Sequence, residues 1–152
     1  RVSALMTKPR GANSVFEVHR FRTETRQELV NVTDAVKEIL QNSGVQEGVC
    51  YVYCPHTTAG LTINSYLDPM TPKDIVSEID RLIPTRLDFF HTVDTPSDAA
   101  GHIKSVLAGL HQVVIIHKGQ LMLGHSQGIL FAEFDGPRNR QVYVKIMGDA
   151  SA

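Results

Sequence analysis

"QVVIIHKGQLMLGHSQGILFAEFDGPRNRQVYVKIM", residues 112–147, holds four apolar runs and no helical spacing. The runs are 112–117, 121–123, 128–134 and 141–147, rich in Val, Ile, Phe and Tyr. Lys118-Gly119 and Asp135-Gly136-Pro137 separate them with turn chemistry. The chain therefore ends in strands alone, and the last two runs read as a hairpin. Upstream the pattern changes. "SVFEVHRFRT" (14–23) and "ELVNV" (28–32) are strand-like, and Thr33 and Asp34 then open a helix with Val36, Ile39 and Leu40 at helical spacing and Gly44 at its end. "GVCYVYC" (48–54) and "TAGLTIN" (58–64) are two more strands, expected as neighbours joined around Pro55-His56.

Two further helices share one way of starting. "TPKD" (71–74) and "TPSD" (95–98) each put Thr at the cap, Pro at the first helical position and Asp three residues after the cap. Ile75, Ile79, Leu82 and Ile83 are the expected stripe of the first, which Pro84 stops. Ala99, Ile103, Val106 and Leu110 are the expected buried face of the second. Strand pairs separated by helices, followed by strands only, predict an α+β fold: one domain over 1–152, a sandwich of mostly antiparallel or mixed sheet with about three helices.

Composition narrows the function classes. The 152 residues carry a formal net charge of -1, with 42% hydrophobic and 20% charged residues. No basic run points to nucleic acid, and no apolar run approaches a membrane span. The segment "RVSALMTKPRGA" has no apolar core of leader length. Cys50 and Cys54 lie on one face of a single strand, unsuited to a bridge, which argues a reducing, cytoplasmic setting.

Three histidines carry the candidate chemistry. His56 breaks the strand pattern between Pro55 and two threonines. His91 follows Phe89 and Phe90 in a loop, so aromatic packing is expected to desolvate it. His102 adjoins the apolar stripe of the last helix, eleven residues beyond His91. Neutral imidazoles converging on one cleft suit a divalent transition ion such as zinc, with an open position for water or substrate. The competing reading makes each a turn or core histidine. Asn64 and Asp68, just past a strand end, are placed to orient an imidazole or bind a hydroxyl, or else to make turns. Thr57 and Thr58 offer hydroxyls, while Lys104, Arg138 and Arg140 offer charge to a phosphate, the alternative being a solvated face. Cys54 shares a strand face with His56, but nothing lowers its pKa, so it reads as a small buried hydrophobe.

Taken in order, "PHTTAGLTIN", "DP", "GHIKSVLAG", the "GQLMLGHSQGI" run and "EFDGPRNR" resemble the YjbQ-like family, also called secondary thiamine-phosphate synthases. The resemblance spans about residues 14–147. It implies a trimeric α+β sandwich with a histidine cleft and a divalent ion, zinc or magnesium. The implied reaction joins a hydroxymethylpyrimidine diphosphate to a thiazole phosphate with release of pyrophosphate. Matched by position, His56, His91 and His102 are the implied metal ligands. His56, Asn64, Asp68 and Gln127 are the implied catalytic residues, and Arg138 matches a late motif; Thr57, Thr58 and Lys104 join it as substrate-binding candidates on their own chemistry. Two positions depart from the pattern: Asn64-Ser65-Tyr66 where the family has Asn-Glu-Asn, and His125-Ser126 where it has Thr-Trp. His125 is a candidate replacement ligand. A metal-dependent hydrolase of a small phosphorylated substrate, and a trimeric scaffold without turnover, are the competing functions.

Overall fold

The computed structural model describes residues 14–150. The N-terminal stretch inspected for a leader lies outside the described residues. Eight strands and three helices follow in the order β1 (Ser14–Arg22), β2 (Glu28–Asn31), α1 (Thr33–Ser43), β3 (Gly48–Tyr53), β4 (Ala59–Ser65), α2 (Met70–Leu82), α3 (Pro96–Ala108), β5 (His111–His117), β6 (Gln120–Leu121), β7 (Gln127–Glu133) and β8 (Asn139–Gly148). They form two antiparallel sheets, β1-β8-β3-β5-β6 and β2-β7-β4. The α+β class read from the sequence is what the structure has. No helix among the described residues is long and apolar enough to cross a membrane.

The core lies where the inner faces of the two sheets meet. Successive strand residues point to opposite faces, so Cys50 and Val52 go inward while Tyr51 and Tyr53 go outward. Val114, Ile116, Val142, Val144 and Ile146 join them from the first sheet. Leu61, Ile129 and Phe131 come from the second, and Val36 and Leu40 of α1 close the end. Both cysteines are free, and burial pushes the thiol of Cys50 up to about 12 and that of Cys54 up to about 11. Neither has the thiolate character a nucleophile needs.

Two expected hairpins are not hairpins. β3 and β4 belong to different sheets, and so do β7 and β8. The turns at Pro55-His56 and Asp135-Gly136-Pro137 carry the chain from one sheet to the other. Turn residues report that the chain changes direction; the strand's partner is set by which faces are apolar. β7 is buried from Gly128 to Glu133 on both faces, as a central strand between β2 and β4 would be. The Lys118-Gly119 hairpin does form: both residues take positive φ, 50° and 72°, and His117 pairs with Gln120 across them.

The helices depart from expectation in instructive ways. Gly44 ends α1 in the left-handed region, but Thr33 is not the cap. The Asn31 side chain accepts from the Thr33 amide, leaving the Thr33 hydroxyl to accept from the Ile129 amide at 2.8 Å. α2 starts one residue before Thr71, where Asp68 Oδ1 accepts from the Met70 amide at 2.9 Å. Among its residues none is fully buried: Ile75 and Ile79 are half-buried and Leu82 is exposed. α3 buries Ala99, Ala100, Gly101, Lys104 and Ser105 and turns Ile103, Val106 and Leu107 outward. Close approach to β4 explains the choice. A Cβ on Gly60 would stand 2.7 Å from the Ala108 Cβ, so only small side chains fit between helix and strand.

Candidate metal centre

Thr95 caps α3, its hydroxyl accepting from the Asp98 amide at 3.2 Å, with Pro96 in the first turn. This start fixes the direction of the first two turns. Asp98 and His102, four residues apart, then lie one above the other on the same helix face. The Asp98 carboxylate oxygen Oδ2 is 3.0 Å from His102 Nε2 and 3.0 Å from His91 Nε2, the latter delivered by the loop ahead of α3. Among the described residues these three form a cluster with metal-ligand spacing, their donor atoms all within 4.8 Å of one another. The carboxylate is the floor, with a side chain 10% exposed, and the two imidazoles form the open rim.

The remaining nitrogen of His102, Nδ1, is 3.0 Å from the carbonyl oxygen of Thr57. With Nδ1 directed at a backbone carbonyl, Nε2 is the nitrogen of His102 that would bind an ion, the usual outer-shell arrangement of a metal-binding histidine. Tetrahedral ligands at a zinc-to-nitrogen distance of about 2.0–2.1 Å sit about 3.4 Å apart. The 3.0 Å separations need open by only a few tenths of an ångström. Two imidazoles and one carboxylate fit zinc or a similar transition ion and leave one position for water or substrate. Magnesium prefers an all-oxygen set.

Burial opposes ionisation of Asp98, but hydrogen bonds and charge from His91 and His102 outweigh it and hold the carboxyl below its ordinary value. Arg138 stands within reach of the same field. Its Nη2 donates to Asp135 Oδ2 at 2.6 Å and its Nε to the Asp135 carbonyl at 2.8 Å. The Asp135 hydrogen bond, aided by the charges of Asp98 and Glu133, raises its pKa further. The guanidinium is half exposed, so one edge stays free of protein partners.

The other residues singled out from the sequence fall elsewhere. His56 is not in the cluster; its Nε2 lies 3.0 Å from the Gln141 amide nitrogen and 3.1 Å from the Gln141 carbonyl oxygen, where β8 runs on past the end of β3. Thr57 contributes its carbonyl and not its hydroxyl. The Thr58 hydroxyl is buried and accepts from Arg140 at 2.8 Å. Lys104 is 1% exposed, its ammonium donating to Asp80 and Gln27, each at 2.8 Å, so its charge is already matched. Asn64 and Gln127 mark the far end of the second sheet, because Ser65 pairs with Gln127 where Ala59 pairs with Glu133. Six residue steps along β4 are about 20 Å. Asn64 and Gln127 accept from the amides of Ser65 and Gly124, while Asp68 accepts from the Met70 amide in the turn before α2. The expected catalytic grouping of His56, Asn64, Asp68 and Gln127 is therefore not assembled within one chain. His125 is exposed in the β6–β7 turn and outside the cluster.

Phe90 is fully exposed and Phe89 lies under the Arg86 guanidinium, so aromatic packing does not desolvate His91 as expected. In the sequence Asp98 reads only as helix-start chemistry. Its four-residue spacing from His102 was the available signal for a ligand.

Residues 17–149 match the family model described as UPF0047 protein YjbQ-like. The chain belongs to the UPF0047 (YjbQ-like) family. Members include UPF0047 protein MJ1081 of Methanocaldococcus jannaschii, 47% identical over 86% of this chain and 93% of that protein. YugU of Bacillus subtilis is 41% identical over 85% and 96%. The solved YjbQ/UPF0047 protein of Clostridium acetobutylicum is 42% identical, with a TM-score of 0.81 over 86% of this chain and 98% of its own. A YbjQ-like protein of unknown function from Sulfolobus solfataricus reaches 0.85 at 27% identity, covering 91% and 99%. The UPF0047 family is one of uncharacterised proteins, and its fold is the one described above.

Proposed function

We propose that this UPF0047 protein is a metal-dependent enzyme acting on a small phosphorylated substrate, with His91, Asp98 and His102 holding one zinc-like ion. The observation that carries the reading is the approach of both Nε2 atoms to one oxygen of Asp98. Asp98 holds the floor, Thr57 orients His102, and Arg138 faces a phosphate oxygen. When bound, the ion supplies charge stabilisation for a departing oxyanion. The specific reaction to test first is the transfer that the sequence resemblance implies, hydroxymethylpyrimidine diphosphate with thiazole phosphate giving thiamine phosphate and pyrophosphate. Product formed with zinc or magnesium and abolished in His102→Ala supports it. Release of phosphate from simple phosphoesters without coupling would favour the hydrolase. No turnover of either kind would leave the scaffold reading.

We also propose that the chain works as a homotrimer. Two separate surfaces support it. Ile103, Val106 and Leu107 of α3 are exposed, as are Leu87, Phe90 and Val93 of the segment before it. On the open side of the first sheet, Phe16, Tyr51, Tyr53, Val113, Ile115 and Met147 form another. Patches of this extent mark interaction surfaces, and two unlike patches on one chain suit a closed ring of copies. Sedimentation at the monomer mass would refute it.

A further inference from the structure

Alternation along the strands fixes what the outer face of the first sheet carries. Val142, Val144 and Ile146 of β8 point inward, so Gln141, Tyr143, Lys145 and Met147 point outward. The register then turns Phe16 and Arg20 of β1 and Tyr51 and Tyr53 of β3 to the same side. Taken from Phe16 to Arg22, Gln141 to Met147, Val49 to Tyr53 and His111 to Ile115, this face holds Arg20, Arg22 and Lys145 and no carboxylate. Lys145 stands in the middle of it. Phe16 is across the ladder on one side and Tyr51 on the other, with Tyr143 and Met147 two residues away on its own strand. It is half-buried and has no ion-pair partner among the described residues. Whatever covers this apolar face takes water from the ammonium and has to bring a negative group to it.

The connection between α2 and α3 has the matching character. Residues 83–95 form neither helix nor strand. Connections of more than about 12 residues without secondary structure are uncommon and usually functional. Leu87, Phe90 and Val93 are each at least 90% exposed. Asp88 is held by Arg86 at 2.9 Å, but Asp94, next to Val93, has no ion-pair partner among the described residues. An unmatched carboxylate beside bare apolar side chains complements an unmatched ammonium within an apolar sheet. Every copy of the chain carries both surfaces. They lie on opposite sides of the sandwich, because α3, which holds His91 through Asp98, packs on β4 of the second sheet. One copy can therefore engage two neighbours at once, as a closed ring requires.

We propose that residues 87–94 of one copy dock on the outer sheet face of the next, Asp94 against the partner's Lys145, and that this docking completes the metal centre. The arrangement rests on the trimer proposed above and names the surfaces that build it. His91 lies between Phe90 and Val93, so seating those side chains fixes the ligand. The rings of His91 and His102 are 5.3 Å apart, and Ile103 beside His102 is exposed as well. The partner's sheet thus comes to lie over the rim that the two imidazoles leave open in a single chain, and it excludes water there.

A charge exchange tests the docking. Wild-type chain should sediment as a trimer. Lys145→Glu and Asp94→Lys each set like charges against one another and should weaken assembly at least tenfold, and the chain carrying both substitutions should recover it. Zinc should be held at least tenfold more weakly by Lys145→Glu and regained in the double variant, although Lys145 is on the far side of the sandwich from the ligands of its own chain. A trimer that survives both single substitutions would leave the trimer reading standing and overturn this docking. A wild-type monomer would overturn both and leave the two faces to another protein or a nucleic acid. Assembly that follows the charges while zinc affinity stays constant would keep the docking and contradict its part in the metal centre. Should wild type hold no zinc at all, sedimentation still decides the docking by itself.

Discussion

His102 Nδ1 lies 3.0 Å from the carbonyl oxygen of Thr57, a contact that ties α3 to the turn between the two sheets. A backbone group holds the ring, so the Thr57 side chain is dispensable for that purpose. Thr57→Ala should leave zinc affinity within a few-fold of wild type. Loss of an outer-shell partner typically costs 10–100-fold. A competition titration with a chromophoric chelator checks this, and a hundredfold loss would show that the hydroxyl, exposed in the structure, matters after all.

Glu133 and Arg140 form a buried pair 2.8 Å apart, with side chains 0% and 5% exposed. Burial raises the Glu133 pKa and Arg140 works against that rise. Removing one partner strands the other in the core. Arg140→Met should destabilise the chain by about 3–5 kcal/mol, and adding Glu133→Met should recover much of the loss. Urea unfolding of the two single variants and the double closes the cycle. Additive losses would mean that the two side chains do not interact.

Burial, with help from the charge of Arg140, lowers the pKa of His56, and burial also lowers that of His19. For both, the unfolded state binds protons more readily than the folded one. Their contribution is therefore complete above the unfolded value of about 6.5 and is lost as pH falls through the lower folded values. The urea midpoint should drop below pH 6.5, and His56→Gln should make that drop shallower, with the His19 share remaining. An unaltered slope in His56→Gln would mean that His56 titrates normally.

Much of this was legible in the sequence because it is local. The Thr95-Pro96 start of α3, the Gly44 cap and the Lys118-Gly119 hairpin are each decided by a few adjacent residues. Strand partnership is not local. Pro55-His56 looks like a hairpin turn and carries the chain between sheets, and the Asp135-Gly136-Pro137 turn does the same. The buried face of α3 differs from its apolar stripe for a similar reason. Ile103 and Val106 are the apolar residues, but Gly101, Ser105 and Ala108 are the ones that approach Thr58, Ala59 and Gly60. His91 and His102 could be nominated from residue type and setting. Asp98 was concealed by its role as a first-turn acid, and His56 by a backbone partner 85 residues away.

The measurement that bears most directly on the central claim is metal stoichiometry after loading with zinc and removal of free ion. Wild-type protein should retain one zinc per chain. His102→Ala and Asp98→Asn should retain almost none, while His56→Gln, whose ring faces the Gln141 amide, should retain the full amount. Undiminished zinc in His102→Ala and Asp98→Asn, or its loss in His56→Gln alone, would contradict the assignment of the centre to His91, Asp98 and His102.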